Sequence, residues 1–116
     1  MDVIAEHANS TKPTVLISPS LNIGLDLKDL LSRFQIITKV PYLNMADRWT
    51  NAKRQIDPEW YSWQTVLRLV QAYGRSVRSK EDWARTYVLD SAFISFIREN
   101  KKFLPDWFTR AIVGKI

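Results

Sequence analysis

Cysteine is absent from the chain, which excludes a disulfide framework, a thiolate nucleophile and any cysteine-ligated metal. Histidine occurs once, as His7 in a polar N-terminal stretch, and a single copy cannot assemble a multi-histidine zinc site, so no metal site and no histidine-based triad is expected. Glycine is scarce. Gly24, Gly74 and Gly114 are the whole supply, and none of them opens a G-x-x-x-x-G-K-[ST] or G-x-G-x-x-G pattern, so the chain has no phosphate-cradling loop of its own. No apolar run approaches the roughly 20 residues that cross a bilayer. Asp2 and Glu6 stand where a signal peptide needs a basic start, and together with the missing cysteines this makes a cytoplasmic location the expectation.

What remains is 116 residues with 46% hydrophobic and 25% charged side chains, the proportions of one globular domain with one core. The net charge of +5 is unevenly spread. Residues 1–47 hold four Lys/Arg against five Asp/Glu, a net of −1, and residues 48–116 hold thirteen against seven, a net of +6. Clustered cations favour a polyanionic partner such as a phosphate chain, because binding releases its counterions. The alternative is a basic surface that serves only solubility.

Residues 1–13 read as an N-terminal leader, and residues 14–116 as the folded domain. Thr14-Val15-Leu16-Ile17-Ser18 is a nearly continuous apolar run ended by Pro19, the pattern of a strand buried on both faces. A polar turn follows from Pro19 to Asp29, with a brief helical turn over Lys28–Ser32. Phe34 to Val40 forms a second β-rich run stopped by Pro41, expected beside the first. Asp47 caps a helix to about Arg54, and Asp57-Pro58-Glu59 opens a stronger one. In that helix Trp60, Trp63, Leu67, Val70 and Tyr73 make one apolar stripe, ending at Gly74. Thr86 to Leu89 is a third strand, and Asp90-Ser91 caps a helix with Phe93, Phe96 and Ile97 on one face. A last helix carries Leu104, Trp107, Phe108, Ala111 and Ile112, with Pro105 in its first turn. Alternating strands and helices predict an α/β fold with a small, mainly parallel sheet flanked by helices. Three strands are few for that class, so an open sheet edge is expected.

Gln71-Ala72-Tyr73-Gly74-Arg75-Ser76-Val77-Arg78-Ser79 is the most informative segment. Two arginines three residues apart at a helix end can meet an anion bidentately. The same pair also suits a solvated helix terminus with partners in Glu81 or Asp82. The segment resembles the Q-x-x-G-R-x-x-R signature of helicase motif VI, and Arg78-Ser79-Lys80-Glu81-Asp82 matches the R-S-x-x-D extension of the DinG and XPD (Rad3-related) branch of superfamily 2. Upstream, Ser18 to Lys28 is similar to that branch's motif V, often S-x-x-E-G-x-D-L. Lys39-Val40-Pro41-Tyr42 resembles its K-L-P-F strand end. Tyr87 to Asp90 and Leu104 to Phe108 resemble its closing strand and helix. The resemblance runs over residues 14–113 in the same order and with similar gaps.

The resemblance implies a partial RecA-like domain, the distal part of the second motor domain of an ATP-dependent DNA helicase. Arg75 and Arg78 match the motif VI arginines, catalytic groups that reach across a cleft to the γ-phosphoryl oxygens of ATP. Gln71, Gly74, Gly24 and Asp26 match nucleotide-side positions, with Asp26 equally readable as a turn or cap residue. Ser20 and Lys39 match single-stranded DNA contacts, with Lys39 otherwise an exposed strand end. ATP and Mg2+ are then expected only together with an N-terminal motor domain, in cis or in trans, because the phosphate loop and the magnesium-holding Asp-Glu pair are missing. Ile23 stands where many relatives have glutamate. That difference reads either as branch variation or as decay, and a non-catalytic nucleic-acid-binding or helicase-interacting module is the second reading. Self-association through the open sheet is a further expectation.

Overall fold

The computed structural model describes residues 2–19, 32–76 and 81–114. Helix α1, Val3–Asn9, is opened by Asp2, whose carboxylate accepts from the Ile4 and Ala5 backbone N–H groups. It lies in the stretch read as a leader, and none of its residues is buried. The brief helical turn expected near Lys28 lies largely outside the described residues.

Strand β1, Phe34–Ile37, pairs in parallel with β2, Arg85–Val88, in the register Phe34↔Arg85 and Ile36↔Tyr87. Parallel neighbours need a long crossover, and here it consists of α2, Arg48–Ile56, and α3, Pro58–Tyr73. Beyond β2 come α4, Ala92–Glu99, and α5, Asp106–Ala111, joined by a 3-10 turn over Lys101–Phe103. The result is a partial α/β, RecA-like arrangement of a small parallel sheet with helices. No helix among the described residues is long and apolar enough to cross a membrane.

The local signals for the crossover hold. Asp47 accepts from the Thr50 N–H at 2.8 Å, and Asp57 from the Trp60 N–H at 3.0 Å, with Pro58 at the first helical position. Two expectations fail. Residues 14–18 form no strand, and Val15 and Ile17 are each 87% exposed. A strand exists only by pairing, and β1 takes β2 as its neighbour rather than this run, so the described sheet has two strands. Along β1, Phe34 and Ile36 stand out on the bare face, while Gln35 and Ile37 turn inward. In α3 the buried residues are Thr65, Val66, Leu69 and Ala72, and Trp63 is 43% exposed. The core stripe is therefore turned by more than a third of a turn from the tryptophan-led one. Small Ala72 and Thr65 allow close approach, and the bulky Trp60 packs instead on Trp49 of α2. Thr65 meets its burial by donating to the Tyr61 carbonyl at 3.0 Å.

The core joins Ile37 and Val40 from the sheet side, Val66, Leu69 and Ala72 from α3, Phe96 and Ile97 from α4, and Leu104 and Phe108 from the last segment. Tyr73 and Val70 flank it, with Tyr73 edge-to-face on Phe108 at 5.3 Å. The expected faces of α4 and α5 are thus largely confirmed, although Trp107 stays half exposed against Tyr73.

Candidate nucleotide-facing site and relatives

Helix α3 delivers the motif-bearing segment, and its end is fastened from the sheet. The Gln35 side-chain amide donates to the Ala72 carbonyl at 2.6 Å, while its oxygen accepts from the Thr86 hydroxyl at 3.3 Å. One β1 side chain thus ties both β2 and the last turn of α3 together, one residue before Tyr73. The helix ends at Tyr73 as the glycine predicts, but Gly74 does not take the left-handed stop. It sits at φ −72° and ψ −4°, and the chain tightens into a 3-10 turn over Gly74–Ser76. Arg75 therefore continues the helical path instead of springing from a loop. It is half buried, with its Nε buried, and exposed Gln71 lies one turn before it on the same side of the helix.

An amide and a guanidinium with no carboxylate beside them in sequence from 71 to 76 suit phosphoryl oxygens. The same donor set does not suit Mg2+, which needs oxygen ligands. Arg78, Ser20, Gly24 and Asp26 lie outside the described residues. Lys39 is exposed just past β1 and lines an open groove of about 510 Å³ together with Ser18, Pro19, Tyr42 and Arg68. Arg75 does not line that groove, so the described residues do not bring the two expected contacts into one pocket.

Two features escaped the sequence reading. The Arg33 guanidinium donates to the Asp82 carboxylate and to the Trp83 carbonyl, each at 2.6 Å, and stacks on the Trp83 ring at 4.9 Å. Asp82, its own side chain almost wholly buried, thus holds Arg33. Asp90 joins the strand end to α4 by accepting from the Val40 N–H at 2.9 Å and the Ala92 N–H at 3.0 Å. Those two backbone donors, with a smaller contribution from Lys39, hold its carboxyl below the usual aspartate value. Burial raises the neighbouring Tyr42 hydroxyl, with Asp90 adding to the shift. No local pattern marks the Arg33 clasp, since its partners are about fifty positions apart in sequence.

The model of the helicase C-terminal domain family matches residues 1–111. The chain belongs to the helicase C-terminal domain family. As the motif V and VI resemblance implies, it is of the Rad3-related type. Among curated relatives, a regulator of telomere elongation helicase 1 homolog from Caenorhabditis elegans is 26% identical over 105 residues, covering 77% of the chain and 10% of that protein. The ATP-dependent DNA helicase chl1 of Schizosaccharomyces pombe is 27% identical over 113 residues, covering 84% of the chain and 13% of the relative. A Fanconi anemia group J protein homolog from Gallus gallus is 29% identical over 82 residues, covering 60% and 6%. This helicase C-terminal domain spans about a tenth of the length of the curated relatives it matches. No solved structure matches it.

Proposed function

We propose that the chain forms the distal wall of a second motor domain in an ATP-dependent DNA helicase, donating Arg75 and Arg78 to ATP and Mg2+ held by an N-terminal motor domain. The observation that carries this reading is the position of Arg75 within a helicase C-terminal domain: on the turn that prolongs α3, one turn from Gln71. Gln35 fixes the backbone on which both residues stand. A guanidinium held this way meets negative charge growing on the γ-phosphoryl oxygens without reorganising at the moment of transfer. Gln71 orients the arginine or the phosphates, and Gly74, Gly24 and Asp26 complete the nucleotide side. Lys39 and Ser20 contact single-stranded DNA.

The test is DNA-stimulated ATP hydrolysis in an assembly that supplies the first motor domain. Arg75→Ala is expected to lower kcat by about a thousandfold, with little change in the affinity for DNA. Arg75→Lys keeps the charge but loses the planar fork, and recovers only part of the rate. Unchanged turnover in Arg75→Ala overturns the arginine role.

Ile23 in the place of glutamate favours a second reading, a module that keeps the helicase fold and binds nucleic acid without turnover. Under it, single-strand binding falls steeply as salt rises, while Arg75→Ala and wild type behave alike.

A further inference from the structure

The α2–α3 hairpin carries a surface that neither the core nor the proposed nucleotide contacts use. Helix α2 reads Arg48-Trp49-Thr50-Asn51-Ala52-Lys53-Arg54-Gln55-Ile56, with Arg48, Lys53 and Arg54 as its charges and no carboxylate. The acids next to it in sequence are committed elsewhere. Asp47 and Asp57 accept from the Thr50 and Trp60 backbones, and Glu59 pairs with Lys102 of the distant 3-10 turn. Among the described residues no ion pair neutralises any of the three α2 cations.

Two of these cations are seated on aromatic rings instead. The Lys53 ammonium lies 5.9 Å from the Trp60 centroid, and the Arg54 guanidinium 5.4 Å from that of Tyr61. Trp49 stands edge-to-face with Trp60 at 5.4 Å, yet remains 65% exposed, and Trp63 is 43% exposed. An exposed indole braced on Trp60 beside an unneutralised cation matches one kind of occupant best: a polyanion whose units also present flat π-faces.

We propose that this face of the α2–α3 hairpin is a base-stacking platform for single-stranded nucleic acid, with a base against Trp49 and a phosphate near Lys53, which lies one turn on along the same side of α2 and over the same Trp60 ring. The platform does not use Lys39, and it requires no nucleotide chemistry. An acidic protein segment would match the charge but has no bases to stack, and the experiment separates the two.

Binding of a fluorescent thymidine oligonucleotide to the 116-residue chain is followed by anisotropy, beside the same strand made of abasic sugar-phosphate units. Wild type is expected to prefer the base-bearing strand, and Trp49→Ala to lose about tenfold in affinity for it while binding the abasic strand as before. Trp49→Phe, which keeps a ring, retains most of the preference. Because Trp49 is mostly exposed, an unchanged thermal midpoint in Trp49→Ala separates a lost contact from a lost fold. Equal binding of both strands by wild type, unchanged affinity in Trp49→Ala, or displacement by poly-glutamate as effective as by unlabelled DNA overturns the platform. Failure here leaves the Arg75 reading standing, since that is read by turnover.

Discussion

Asp90 shows how one side chain can weld two segments that are fifty positions apart. Both of its oxygens accept backbone N–H groups, one before Pro41 and one opening α4. Because the folded carboxyl is held below its ordinary value, the charged form contributes stability above the unfolded value, and this is lost as pH falls through the folded one. Asp90→Asn is therefore expected to melt lower than wild type at neutral pH, with the gap narrowing as the solution is acidified below the ordinary aspartate range. Thermal melts followed by circular dichroism at several pH values check this, and a gap independent of pH would assign the effect to geometry instead of charge. The sequence marks Asp90 as a helix cap but not as the anchor of Val40, and it marks Arg33 not at all. A cap is a contact of two or three positions, whereas the partners of these side chains are set by how the crossover folds back.

At the scale of elements, α3 carries most of what positions the motif segment. Its start is written locally in Asp57 and Pro58, and its length ends at Gly74 as the residue type implies. Its rotation is not written there, because tryptophan weighs heavily in a hydrophobic stripe yet is too large for the layer that Ala72 and Leu69 occupy. The glycine is also less constrained than its identity suggests. Its backbone is right-handed, and a Cβ built there meets no atom within 4 Å. Gly74→Ala is accordingly expected to stabilise the chain by about 0.4–1 kcal/mol through the unfolded state, read as a higher urea midpoint. If the same variant, in an assembly with the first motor domain, loses ATP turnover while gaining stability, the glycine serves a partner's close approach and not the fold of α3.

Over the whole molecule, the sheet is the unusual part. Parallel sheets are ordinarily covered on both faces, but here Phe34, Ile36, Tyr87 and Leu89 are between 47% and 67% exposed on one side of two strands. Such a face suits association. We expect the isolated chain to sediment with a mass that rises with concentration, and Ile36→Asp, at an exposed position, to return it to a monomer while leaving its melting midpoint nearly unchanged. A monomer at all concentrations in wild type would show that this face stays solvated. The short fraction of its relatives that the chain spans agrees with a fold whose layers are incomplete.

By itself the sequence determined the α/β class, the caps of α2 and α3, the second and third strand positions, and the family, because each depends on neighbours within a few residues or on a spaced motif. Only the tertiary structure decided that residues 14–18 stay outside the sheet, that β1 takes β2 as its parallel partner, and that Gln35 fastens the end of α3. The same holds for Asp82 taking Arg33 and for the aromatic rings of the hairpin collecting cations. Pairing, helix rotation and long-range hydrogen bonds follow from which surfaces compete for one small core, and that competition is settled between segments, not within them.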